Sequence, residues 1–258
     1  MLLCIDVGNS HIFGGVFADD KLLLRFRYPT KRTSSDELGL FLRGVLRENA
    51  LDQSEVKQIS ICSVVPDLEY SLRSACRKYF HIDPFFLKAG VKTGLKIKYC
   101  NPVELGADRV ANAIAAHHFY PQQDMIIVDF GTATTLCALS KRSEYLSGAI
   151  LPGIRLAMDA LQSKTAKLPP VEIIKPDLPV GRTTVESIQA GLYFGTLGAV
   201  REVISRIQNE ILQQSSPLVL ATGGFAQLFE QEKLFNEIMP DLVLHGLRVA
   251  FYLNQSQL

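Results

Sequence analysis

Short apolar runs broken by small polar turns open the chain. Residues 2–7, 12–18 and 21–27 predict three strands with tight connections, and Asp19–Asp20 supplies one of the turns. Helical spacing takes over in "SSDELGLFLRGVLREN". Ser34 or Ser35 is positioned to cap, Asp36 and Glu37 fall in the first turn, and Leu38, Phe41, Leu42, Val45 and Leu46 share one apolar face. "QISICSVV" predicts a buried strand stopped by Pro66, "DLEYSLRSACRKYF" a second helix, and "PFFL" a short strand.

The pattern then restarts. "DMIIVDFGTATTLCAL" reads as strand, glycine turn and strand, and "EYLSGAILPG" as a third strand. Helices are expected at 154–162 and 185–212, a buried strand at "LVLATGG", and helical segments at "AQLFEQEKLF" and "GLRVAFYLN". Laying "CIDVGNSHI" on "IVDFGTATT" aligns Asp6 with Asp129 and Gly8 with Gly131, 123 positions apart and close to half the 258-residue length. Repetition at half-length predicts two similar α/β lobes, 1–115 and 116–258, with a cleft between them.

Composition adds limits. At 47% hydrophobic, the chain is long enough for a substantial core. Its 27 basic and 26 acidic residues nearly cancel, which gives no general case for nucleic acid or a membrane surface as partner. No apolar stretch approaches the roughly 18 residues of a membrane span, and no leader pattern begins the chain, so a cytoplasmic protein is expected. Cys4, Cys62, Cys76, Cys100 and Cys137 form no C-x-x-C pair and are expected to be small buried hydrophobes. The five histidines, at positions 11, 81, 117, 118 and 245, show no ligand spacing.

The candidate chemistry lies in the two Asp-x-Gly turns. Glycine lets the backbone approach an anion closely, and successive N–H groups form a nest for it. Asn9, Ser10 and Thr132 add side-chain donors. An acid beside phosphate suits a metal ion or its waters. Either turn alone fits an ordinary hairpin; two copies at lobe spacing, each after a buried strand, favour phosphate. "ATGGFA", with Thr222, Gly223 and Gly224, suits a nucleotide-contacting loop or a tight strand–helix turn.

This set resembles the actin-like (ribonuclease H-like) ATPase fold. The order and spacing of "DVGNS", "ELGADRVANAIAA", "DFGTATT", "GAILPG" and "GRTTVESIQAGLYFG" resemble type III pantothenate kinases nearly end to end, "GADR" before a helix being the most specific element. The resemblance implies two lobes, each a mixed five-stranded sheet with flanking helices and the nucleotide in the cleft. It implies ATP-dependent phosphorylation of pantothenate, the first step toward coenzyme A. Asp108 would accept the hydroxyl proton. ATP would be held by Asp6, Val7, Gly8, Asn9, Ser10, His11, Ile12, Phe13 and Thr132, with Mg²⁺ approached indirectly by Asp6. Pantothenate would be held by Tyr99, Gly106, Ala107, Asp108, Arg109 and Thr184, and K⁺ or NH₄⁺ by Asp129.

Each residue also has a plainer reading: Asp108–Arg109 as a surface pair, Tyr99 as a packed strand aromatic, Thr184 as the cap of the following helix. The helix with Gly191, Gly195 and Gly198 is mostly core, its small residues suiting a homodimer, which the resemblance also implies. The competing functions are another actin-like small-molecule kinase or phosphatase, and a non-catalytic transcriptional accessory factor. A regulator has no need of a base at Asp108.

Overall fold

The computed structural model describes residues 1–213 and 215–255. In chain order the elements are β1 (Leu2–Val7), β2 (His11–Ala18), β3 (Lys21–Pro29), α1 (Ser35–Glu48), β4 (Gln58–Ser63), α2 (Pro66–Ala75) and β5 (Phe85–Phe86). There follow β6 (Lys96–Ile97), α3 (Ala107–Phe119), β7 (Met125–Phe130), β8 (Ala133–Ser140), β9 (Glu144–Pro152) and α4 (Ile154–Lys164). The chain ends with α5 (Thr184–Arg206), β10 (Leu218–Thr222), β11 (Glu237–Ile238) and α6 (Leu242–Asn254). Two compact units result: residues 1–95, 100–118 and the chain from Leu242 onward form the first, and 96–99 with 119–241 the second.

The first unit is a five-stranded sheet in the order β3-β2-β1-β4-β5. Strands β1, β2 and β3 run antiparallel, whereas β1 pairs parallel with β4 and β4 with β5. Central strand β1 is apolar on both faces because both are covered. Leu3, Ile5 and Val7 pack with Leu38, Leu42 and Leu68 of the two helices on one side. Leu2 and Cys4 pack with Ala111 of α3 and Leu247 of α6 on the other. Strand alternation therefore turns Asp6 toward the α3 and α6 face. Ser34 caps α1, its hydroxyl accepting from the Glu37 amide.

The second unit repeats the order as β9-β8-β7-β10-β11. The same antiparallel and parallel senses recur, with β7 in the place of β1 and β10 in that of β4. Ile126, Val128 and Phe130 of β7 pack with Ile188, Leu192 and Tyr193 of α5, so Asp129 lies on the opposite face of its strand. Phe229 stacks between Phe130 and Tyr193 at 4.9 and 5.0 Å.

Three expectations change. This sheet has six strands rather than five, because β6 pairs parallel with the outer edge of β9. Hydrogen bonds donated by the Lys96 amide to Ser143 O and by the Lys98 amide to Tyr145 O, both 2.8 Å, make that join. The stretch "AQLFEQEKLF" is only 3₁₀ turns over Ala226–Glu232. Among the cysteines, Cys100 is exposed while Cys4, Cys62, Cys76 and Cys137 are buried. No helix among the described residues is long and apolar enough to cross a membrane.

Candidate active site

In the first unit the chain leaves β1 after Val7, turns through Gly8, Asn9 and Ser10, and re-enters the sheet at His11. The Gly8 amide donates to His11 O at 3.1 Å and closes the turn. Asn9, Ser10 and His11 are exposed, whereas Val7, Ile12 and Phe13 are buried. Those three face the core, so the main chain is what they present to a ligand at the turn. The half-buried Asp6 carboxylate accepts a hydrogen bond from the Cys62 thiol, Sγ to Oδ1 3.2 Å. Register dictates this contact: Asp6 and Cys62 are partners in the parallel β1–β4 pair. Burial, then the Asp6 and Asp108 carboxylates, push the Cys62 thiol well above its ordinary value. The thiol therefore stays protonated and remains a donor.

Asp108 is the second residue of α3, where an acid suits the helix N-terminus. Its Oδ1 accepts from the Arg109 amide at 2.8 Å. Gly106 makes room for this arrangement, since a β-carbon there would stand 2.5 Å from Asp108 Oδ1. Ala107 begins the helix. The Arg109 side chain is 9% exposed, so it is a buried cation rather than half of a surface pair.

In the second unit the β7–β8 turn is tighter. The Gly131 amide donates to Ala133 O at 3.1 Å, and Thr132 is exposed at the tip. Two glycines let other segments close on it. A β-carbon on Gly153 would stand 2.2 Å from Thr132 O, and one on Gly223 would stand 2.4 Å from Asp129 Oδ1. Gly223 also takes φ +89°, which side chains rarely adopt. The "ATGG" segment is thus fitted against the Asp129 turn, and Thr222 pairs with Asp129 across the parallel β10–β7 ladder.

Tyr99 is half-buried, its ring edge-on to that of buried Tyr145 with centroids 6.5 Å apart. Thr184 is exposed and is the first residue of α5, not its cap. Thr183 caps instead: its hydroxyl accepts from the Glu186 amide, and the Glu186 carboxylate accepts from the Thr183 amide, both at 3.2 Å. Thr183 and Thr184 also line an apolar groove of about 1130 Å³ with Leu156, Leu161 and Gly191.

Cys62 and Thr30 are contacts of the first turn that sequence reading missed. The Thr30 hydroxyl donates to Gly8 O at 2.7 Å. A β-strand signal at Cys62 was available, but its partner depends on register between distant strands.

As for cations, no group of three or more His, Cys, Asp or Glu is gathered as a metal cage among the described residues. Mg²⁺ does not require one, because it commonly takes one or two carboxylates together with substrate phosphates and water. A single carboxylate beside an exposed turn fits that donor set.

Two units built on one strand order, each with an acid and glycine at the first hairpin, define an actin-like ATPase fold. Among solved structures, a Campylobacter jejuni protein assigned to the Baf family of transcriptional activators aligns with TM-score 0.63 and 19% identity, covering 98% of this chain and 99% of that one. The activator of 2-hydroxyisocaproyl-CoA dehydratase from Clostridium difficile, solved with bound ADPNP, aligns with TM-score 0.52 and 11% identity over 99% and 96%. At these identities the likeness concerns fold alone.

The sequence comparisons are narrower. The family model for type III pantothenate kinase matches residues 2–206. Type III pantothenate kinase of Legionella pneumophila (strain Corby) is 61% identical over 99% of this chain and 100% of its own length. Type III pantothenate kinase 1 of Francisella tularensis subsp. holarctica (strain OSU18) is 51% identical over the same shares. The chain belongs to the type III pantothenate kinase family.

Proposed function

We infer that this chain transfers the γ-phosphoryl group of ATP to the terminal hydroxyl of pantothenate, giving 4′-phosphopantothenate and ADP at the entry to coenzyme A biosynthesis. The observation that carries this reading is the family match over residues 2–206, with Asp6 placed at a glycine turn and Asp108 at a helix start of the same unit.

In this mechanism Gly8 turns the chain, the amides and side chains of Asn9 and Ser10 receive phosphate oxygens, and Thr132 donates to another. The pantothenate hydroxyl oxygen attacks the γ-phosphorus as the bond to the bridging β,γ-oxygen breaks, and ADP leaves. Asp108 takes the hydroxyl proton. Arg109, with Tyr99 and Thr184, orients the substrate, the guanidinium suiting its carboxylate. Mg²⁺, when bound near Asp6, supplies neutralisation of the phosphate charge. Asp129 sits in an anion-binding turn where its own charge opposes ATP, so a shared monovalent cation is assigned there. We also assign a cytoplasmic homodimer, with the exposed Gly191, Gly195 and Gly198 stripe of α5 packed on its twin. A methyl group added at any of the three meets nothing within 4 Å in one chain.

The test is direct. Purified protein, ATP, Mg²⁺ and pantothenate should yield ADP and phosphopantothenate in equal amounts. Turnover should rise when potassium replaces sodium at constant ionic strength, and Asp129→Ala should erase that difference. No phosphopantothenate from a folded, ATP-binding protein overturns the assignment and favours a non-catalytic role; indifference to potassium removes the cation alone.

A further inference from the structure

Just past the end of β3, Thr30 makes two contacts with the Asp6–Ser10 turn. Its amide donates to Ser10 O at 3.0 Å, which extends the β2–β3 ladder by one step. Its hydroxyl donates to Gly8 O at 2.7 Å, across 22 residues of sequence, and no ladder requires that bond. Thr30 begins a short strap running to the Ser34 cap of α1, and the strap is itself fixed. Thr33, only 8% exposed, donates from its hydroxyl to Lys31 O at 2.8 Å. The Lys31 ammonium stands 2.9 Å from the Glu37 carboxylate in the first turn of α1. An exposed turn of Gly8, Asn9 and Ser10 is thereby tied to a segment anchored on a 14-residue helix.

We propose that Thr30 is a positioning residue for the phosphate turn: its hydroxyl fixes the Gly8 peptide, and so the aim of the amides that follow. The proposal rests on the reading of this turn as the ATP-phosphate loop. A nest binds an anion only when successive N–H groups converge, and glycine at position 8 leaves that peptide with weaker steric limits on its rotation than a residue with a β-carbon would. The Asp6 side chain has a separate hold through Cys62. Loss of the Thr30 hydroxyl therefore acts on main-chain donors, hence on ATP, and leaves the Asp6 carboxylate and the pantothenate residues in place.

Valine has the same shape and β-branching as threonine without the hydroxyl, so Thr30→Val removes one bond and keeps the strand. A neutral hydrogen bond of this kind corresponds to about a three- to tenfold effect. The expected result is a KM for ATP raised about that much, with KM for pantothenate within about twofold of wild type, and recovery in Thr30→Ser. Amide hydrogen exchange on the ligand-free protein gives a readout independent of turnover. The peptide spanning 6–13 should exchange faster in Thr30→Val and at the wild-type rate in Thr30→Ser. Thr30→Ala serves in the same two measurements if Thr30→Val folds poorly.

Wild-type ATP kinetics and unchanged exchange in Thr30→Val, alongside an Asp6→Asn protein that has lost turnover, overturn the tether while leaving the phosphate loop standing. Equal losses for ATP and pantothenate, or no recovery in Thr30→Ser, also overturn it by marking Thr30 as merely structural. Wild-type kinetics in both Thr30→Val and a folded Asp6→Asn remove the phosphate-loop reading itself.

Discussion

Gly223→Ala tests the fit of the "ATGG" segment against the Asp129 turn. The new methyl would stand 2.4 Å from Asp129 Oδ1 and 2.6 Å from both N and C of Phe130. A carboxylate oxygen can swing away; the Phe130 backbone, which pairs with Thr134 of β8 and accepts from the Phe225 amide at 3.2 Å, is held in place. The left-handed φ of +89° adds strain of about 1–2 kcal/mol for a residue with a β-carbon. Overpacking of this kind costs about 1–3 kcal/mol, so the combined loss is about 2–5 kcal/mol. At about 2–4 °C per kcal/mol for a chain near this size, Tm should fall by about 4–20 °C. Circular dichroism melts of the ligand-free protein give the shift, and ATP kinetics below the melt report whether displaced Asp129 matters to turnover. Adding Asp129→Ala should relieve only the minor part of the loss, because the Phe130 collision remains. A Tm within 2 °C of wild type, with unchanged ATP kinetics, refutes the close approach.

Asp108→Asn should fold normally and bind ATP yet lose about 10²–10⁴ in turnover, the usual share of a general base. That is about 2.7–5.4 kcal/mol of barrier, and a loss below about threefold excludes the role. Gly195→Leu should give a monomer by light scattering with helix content by circular dichroism unchanged, since leucine favours a helix over glycine by up to about 1 kcal/mol; a persistent dimer removes the assigned α5 contact. The guanidinium groups of Arg77 and Arg73 hold the Asp83 carboxyl below its ordinary range. Its contribution is therefore present above about pH 4 and is lost as pH falls through the lowered value. Asp83 and Arg77 are largely exposed, so Asp83→Asn should cost under about 1 kcal/mol at pH 7. That difference should shrink as pH falls below about 4 in urea titrations; a constant difference across pH contradicts the ion pairing.

Periodicity and turn chemistry carried much of this fold within the sequence. Short apolar runs between polar turns marked β1, β2, β3, β7, β8 and β9, the 3.6-residue pattern marked α1, and the two Asp-x-Gly turns disclosed a repeat that became a shared strand order. All are local signals, readable because the residues that make them are neighbours in the chain. The two-residue strands β6 and β11 are too short to carry a period and exist only because an edge of β9 and of β10 was open to pair with them. The cap of α5 fell to Thr183 rather than Thr184, since two adjacent threonines differ there only in which takes the extended backbone before the first turn. Which residues hold Asp6 and Gly8 was decided further away still. Cys62 reaches Asp6 through the register of a parallel pair, and Thr30 reaches Gly8 by lying beside the turn where β3 ends. The last helix, α6, covers the sheet of the first unit although nearly the whole chain separates them. Contacts set by strand register and by the docking of distant segments leave no periodic trace in the sequence, because neither partner's neighbours encode the other's position.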